Sequence, residues 1–219
     1  MNPTTQIRPL DVPNAINQRR SIKTFKTDPI APELLQQLVE LTVAAPSSFN
    51  MQGWQIVLVQ DEAQKAELAA AAWNQQQIIQ APVTFVFAAD PNAGEGDLTP
   101  VYEQAIATGA WNEGTVNYFK SAIPQFQAGL ADKRREYAIK DAMIAATHLV
   151  LAAESLGLST CFMNGWIEEQ VKSIIGADDD LAIAVLVPVG YAAEARLNPG
   201  RLPLSHNVSV GKIGNSYLG

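Results

Sequence analysis

Cysteine and histidine are almost missing from this 219-residue chain, which holds one Cys and two His. A lone thiol, Cys161, cannot close an internal disulfide. With His148 and His206 it falls short of the roughly four Cys/His ligands of a structural zinc site. Positive charge is also scarce, with 15 Lys and Arg against 22 Asp and Glu and a net charge of -7. That balance argues against nucleic acid as the main partner. No stretch approaches the roughly 18 consecutive apolar residues of a membrane span. The start at Met1 has no apolar signal segment, so a soluble cytoplasmic protein is expected. Repeats and Ser/Gly linkers are lacking too, and a single domain over 1–219 is expected. What is abundant is apolar surface. A hydrophobic content of 47% with 17% charged residues supplies a large core and leaves room for an extensive interface such as that of a homodimer.

The periodicities predict an α+β fold. Short helices are expected over Asn14–Arg20 and from about Asn74 to Gln80. Longer ones are expected over Pro32–Ala45, with its stripe of Leu34, Leu38, Leu41 and Ala45, and over Asp61–Trp73. Trp54–Gln60, Pro82–Ala89 and Leu181–Val189 are nearly continuous apolar runs and read as buried strands. Ser159–Met163 reads as a short strand and Ile167–Ile175 as a helix. The region from Val101 to Gly129 is helical in pattern but least decipherable. Asp132–Leu156 is the longest helix, rich in Ala and with little polar face after Asp141, so it should be buried against another helix. Residues 1 to 11 read as an irregular arm. The tail from Ala193 is extended, with a candidate edge strand at Val208–Val210, and is too polar to pack alone.

Several candidate sites lose to blander readings. Gly94-Glu95-Gly96 follows a strand, but Glu95 and Asp97 would repel a pyrophosphate. Asp178-Asp179-Asp180 reads as a solvated turn, His148 as a core or interface residue, and Cys161 as a buried inert thiol. Neither histidine sits in a recognisable triad. The exception is Arg19-Arg20-Ser21-Ile22-Lys23, three cations and a hydroxyl in five residues of an acidic chain. It is either a helix end whose cations suit the dipole or an anion site.

That segment does not stand alone. An Arg-Arg-Ser-x-Lys-x-Phe run (Arg19 to Phe25) precedes Ala-Pro-Ser-Ser-x-Asn-x-Gln-x-Trp (Ala45 to Trp54). An Asn at the head of a helix before an apolar strand follows, and the tail carries Gly200-Arg201-Leu202-Pro203 with Asn207-Val208-Ser209. In series these resemble the FMN-dependent nitroreductase family. The resemblance implies an α+β homodimer with a central, mostly antiparallel sheet covered by helices and a long buried helix at the dimer interface. Two FMN molecules would sit between the subunits, and NADH or NADPH would be the electron donor. It implies that Arg19, Arg20, Ser21 and Lys23 face the FMN phosphate, ribityl chain and pyrimidine edge, with Arg201 a second phosphate cation. Asn74 would meet the isoalloxazine edge. Pro46, Ser47, Ser48, Asn50 and Gln52 would reach the flavin of the other subunit. Met163, Asn164 and Gly165 would lie against its N5 side.

Departures from the family pattern carry expectations of their own. Gln77 stands where some members have a second lysine, which implies less positive charge near the pyrimidine and a more reducing flavin. Gly53 replaces a common proline and is expected to loosen the loop before Trp54. Pro199 stands where some members have a lysine, leaving Arg201 as the expected sole tail cation. The implied activity is reduction of nitroaromatic, quinone or similar acceptors by a ping-pong mechanism, with no side chain as acid or base because the flavin carries the chemistry. A non-catalytic flavin-binding store or sensor dimer would use the same residues and stays open.

Overall fold

The structure is a computed structural model and describes residues 9–217. The expected arm at residues 1 to 11 therefore lies mostly outside the described residues. Its end is tied down, since Leu10 N–H donates to the Ser155 carbonyl at 3.0 Å and Ser155 Oγ donates back to Leu10 O at 2.6 Å.

The core is a four-stranded sheet in the order β1-β2-β4-β3, every neighbouring pair antiparallel. Its strands are β1 (Trp54–Val59), β2 (Val83–Ala89), β3 (Ser159–Thr160) and β4 (Ala182–Gly190). β2 and β4 are buried along their whole length, as unbroken apolar runs require. β1 corrects the expectation: it is an edge strand, with Gln55 exposed and most neighbours only half-buried.

Both faces of the sheet are covered. Val83, Phe85, Phe87 and Ala89 point to one side, where they meet α2 (Pro32–Val43) and α7 (Arg134–Ser155). Val86 and Ala88 point to the other, against α3 (Glu62–Ala71) and α8 (Glu168–Ile175), with α4 (Gln76–Gln80) beside α3. The period-2 alternation would fail on β4 without a correction in the chain. Phe87 pairs with Val185 but Ala88 with Ile183, so Ala184 is an extra residue. This bulge lets Ala182 and Ala184 share the α7 face with Val185 and Val187.

Helix starts follow capping chemistry. α1 (Val12–Gln18) begins at Asp11, whose carboxylate accepts from Asn14 N–H at 2.9 Å, and α3 begins in the same way at Asp61. The undeciphered middle region resolves into α5 (Thr99–Ala107) and α6 (Glu113–Leu130). Pro124 sits within α6. In the tail, the short helix α9 (Leu204–Asn207) was not expected. Val208–Val210 makes no strand, only a single bridge from Ser209 to Ser216. Among the described residues no helix is long and apolar enough to cross a membrane.

The long helix α7 also differs from expectation. Ala142, Ala145, Ala146, Leu149, Val150 and Ala153 are buried under the sheet and α2. Among the described residues the opposite side is only partly covered, by α1: Ile144 is 39% exposed, and Met143, His148 and Leu151 are half-buried. A groove of about 720 Å³ beside it is lined by Val12, Ala15, Leu41, His148 and Leu151, with Ala152 and Ser155.

Candidate functional site

The cationic segment leaves α1 at Arg19 and runs beside the sheet. Ser21 bridges Thr160 in parallel, Ile22 N–H donates to Thr160 O at 2.9 Å, and Phe25 N–H donates to Gln80 Oε1 at 3.1 Å. Close approach at the end of β4 depends on Gly190, where a Cβ would lie 2.5 Å from Pro82 and 3.3 Å from the Phe25 ring. The tail then folds back over the segment. Arg19, Arg20, Ser21 and Lys23 share one open recess of about 650 Å³ with Arg196–Pro199 and Arg201.

This recess gathers five cations. Among the described residues none of them forms an ion pair. Arg20 Nη1 donates to Asn17 O and Arg19 O, while its Nε is buried without a partner. Among the described residues, Arg201 Nη1 donates only to the neighbouring Gly200 carbonyl. Glu154 on α7 feels the charges of Arg19 and Arg20. Burial pushes its carboxyl above the usual range, and the charges of Arg19 and Arg20 pull it only partly back. Cations left unpaired around an orphaned N–H suit a phosphate, which offers several strong acceptor oxygens at once. Arg196 is a residue that sequence reasoning missed. The expectation that Arg201 is the only tail cation is corrected to this extent, that Arg196 lines the same recess.

Asn74, Gln77, Met163, Asn164 and Gly165 form a second group on the α3/α8 side of the sheet. Asn74 does not head a helix as expected. It lies in the turn before α4, and both it and Trp73 are left-handed, with φ of 58° and 57°. Asn tolerates that conformation; Trp does so only at a cost. The Trp73 ring packs on Gly165, where a Cβ would sit 2.4 Å from it. Gln77 is buried and donates to Gln75 Oε1 at 2.9 Å, and Gln75 donates to Gly165 O at 3.2 Å. Gln77 therefore orders the Gly165 loop. Met163 is 2% exposed and bridges Leu186, so it supports the loop while Asn164 is exposed.

The third group, Pro46, Ser47, Ser48, Asn50 and Gln52, lies elsewhere. It enters β1 at Trp54, which pairs with Ala89, whereas the cationic segment abuts the β4 end that pairs with Val83. β2 has seven residues between those ends, a separation of roughly 20 Å at the rise of a strand. One chain does not bring loop and recess together.

The loop itself is tightly held. Phe49, Asn50 and Gln52 all have positive φ, from 51° to 55°. Ser48 N–H donates to Asp141 Oδ2 at 2.9 Å and Ser48 Oγ to Oδ1 at 3.3 Å. Gln52 N–H donates to Ser47 Oγ at 2.9 Å. The Phe49 ring inserts edge-on between Phe119 and Phe126, with centroids 5.5 and 5.3 Å away, in a cluster that continues to Trp111 and Tyr137. The expectation of a loosened loop at Gly53 is corrected as well. Gly53 O accepts from Asp90 N–H at 2.9 Å, and a Cβ there would lie 2.6 Å from that of Ala93. Cys161 is fully buried and Asp178–Asp180 are exposed; among the described residues no group of three or more His, Cys, Asp or Glu is gathered around a possible metal position.

Comparison with known proteins places this geometry. Residues 16–191 match the sequence model of the Nitroreductase family. The chain is 34% identical over 199 residues to the protein named NADH dehydrogenase of Thermus thermophilus, covering 91% of this chain and 95% of the relative. It is 31% identical over 150 residues to the FMN reductase [NAD(P)H] of Bacillus subtilis, covering 68% of this chain and 52% of that relative. Among solved structures, a nitroreductase-like protein from Exiguobacterium sibiricum in complex with FMN superposes with a TM-score of 0.80 at 26% identity, over 91% of this chain and 97% of the other.

Proposed function

The chain belongs to the nitroreductase family, and from that premise we propose that it is an FMN-dependent oxidoreductase working as a homodimer. It takes reducing equivalents from NADH or NADPH and delivers them to a nitroaromatic, quinone or similar acceptor. The observation that carries the reading is the recess of Arg19, Arg20, Lys23, Arg196 and Arg201, unpaired cations concentrated in a chain of net charge -7.

In this reading Arg19, Arg201 and Arg196 hold the FMN phosphate, with the Ser21 hydroxyl beside them. Arg20 braces the recess through Asn17 and Arg19. Lys23 is the cation nearest the pyrimidine edge, since Gln77 is uncharged and engaged with Gln75. Asn74, Asn164 and Gly165 line the ring. FMN, when bound, supplies the hydride chemistry, so the protein needs no side chain as acid or base. What the residues contribute is position, water exclusion and field.

A second copy is required to complete the site, because Ser47–Gln52 lies about a strand's length from the recess of its own chain. The partly covered side of α7 supports that assembly. Val12, Ile16, Leu41 and Ile144 are 66%, 54%, 42% and 39% exposed there, an apolar surface that a partner copy would bury. In this reading donor and acceptor take turns at one exposed flavin face, a ping-pong sequence.

Absorption spectroscopy tests the reading. The purified protein, or protein given FMN, shows flavin bands that bleach within a catalytic time when NADH or NADPH is added without oxygen. Colourless protein that takes up no FMN refutes the assignment. A flavin that both nicotinamides leave oxidised points instead to a store.

A further inference from the structure

Resting on the reading that Pro46–Gln52 reaches the FMN of a second chain, we propose that Asp141 is a positioning residue that sets the hydrogen-bonding polarity of that loop. Ser48 spends both of its donors on one carboxylate, N–H to Oδ2 at 2.9 Å and Oγ–H to Oδ1 at 3.3 Å. A carboxylate is acceptor-only, so the hydroxyl proton points at Asp141 and Ser48 offers a ligand only lone pairs. Ser47 is the reverse. Its Oγ accepts from Gln52 N–H at 2.9 Å, which leaves its proton free to donate. Two adjacent hydroxyls therefore present a donor and an acceptor side by side. That pair complements a ring edge on which a carbonyl sits next to an N–H, as in the pyrimidine portion of a flavin.

Local hydrogen bonds close the turn, Asn50 N–H to Ser47 O, Met51 N–H to Ser48 O and Gln52 N–H to Ser47 Oγ, but contacts from distant segments fix where it sits. Phe49, Asn50 and Gln52 are left-handed non-glycine residues, a conformation that persists only when its surroundings impose it. Two anchors do so: the Phe49 ring wedged between Phe119 and Phe126, and Asp141 on the rigid helix α7. Only Asp141 determines where the Ser48 proton points.

Asp141→Asn keeps the shape and changes the polarity. Its carbonyl retains Ser48 N–H while its amide donates to Ser48 Oγ, so the serine proton turns outward. Asp141→Ala only releases the proton. FMN dissociation constants and flavin absorption bands are measured for both variants, for Ser48→Ala, and for Ser48→Ala with Asp141→Asn. The expected result is about tenfold weaker FMN binding and a displaced flavin band in Asp141→Asn, the scale of one unsatisfied polar contact. Asp141→Ala should have the smaller effect, although it removes more of the side chain. On the Ser48→Ala background, adding Asp141→Asn should change FMN affinity by less than about twofold. A larger loss in Asp141→Ala than in Asp141→Asn overturns the proposal, because that is the order of a purely structural contact. Equal losses from Asp141→Asn with and without the serine, or unchanged FMN binding in Ser48→Ala, overturn it too. Failure of the underlying reading looks different: the unmodified protein takes up no FMN.

Discussion

At the scale of single residues, the cations of the recess divide by what they already touch. Arg20 turns its Nη1 onto two backbone carbonyls, while the side chains of Arg19 and Lys23 make no hydrogen bond or ion pair among the described residues. Free guanidinium groups are worth more to an incoming phosphate than one committed elsewhere. Arg19→Ala and Arg201→Ala should each weaken FMN binding by about 2 kcal/mol, the scale of a charge-assisted hydrogen bond. Arg20→Ala should cost less affinity and more thermal stability. Fluorescence titration with FMN and a melting curve on each variant separate the two effects. This part of the site was legible in sequence because the charges are local, adjacent and out of keeping with the rest of the chain. Arg196 was not, because only the fold of the tail brings it to residues 19–23. Asp141 was hidden for the same reason, lying 93 positions from Ser48.

At the scale of elements, apolar periodicity located the helices and central strands to within a few residues. β2 and β4 read correctly because a strand buried on both faces needs an unbroken apolar run. β1 carries a similar run, WQIVLV, yet is an edge strand, since strand order is a long-range outcome that no local pattern encodes. The joints between elements were equally invisible. Glu168, at the start of α8, accepts two bonds from Arg135 of α7 and one from Ile183 N–H of β4. Burial pushes its carboxyl up, but the Arg135 hydrogen bond, the Ile183 N–H and the charges of Arg135 and Lys172 outweigh this and hold it below its ordinary value of 4.5. A carboxyl depressed in the folded state stabilises fully above its unfolded value, and that contribution is lost as pH falls through the folded value. Urea midpoints measured from pH 6 to pH 3 should therefore fall on acidification, and Glu168→Gln should show a shallower fall from a lower start.

At the scale of the whole molecule, α7 connects the two groups that the proposed dimer would bring together from different chains. Its buried face packs under the sheet, its open face carries Ile144, and Asp141, two turns into the helix, and Glu154, near its C-terminal end, address the loop and the recess respectively. Ile144→Asp would place a charge in the proposed interface while leaving the intrachain core untouched. Sedimentation velocity should show a shift from dimer toward monomer, with FMN retention falling alongside it. A dimer that survives with full flavin content would locate the interface elsewhere. The amino-acid sequence by itself determined most of the helices and central strands, the cluster of cations at residues 19–23, and to which family the motifs point. These depend on side chains near one another in the chain. The tertiary structure alone decided that β1 is an edge, that Arg196 joins the recess, that Asp141 accepts both donors of Ser48, and that loop and recess lie at opposite ends of the sheet. Those facts depend on contacts between distant segments, where the chain's path through space, and not its local pattern, chooses the neighbours.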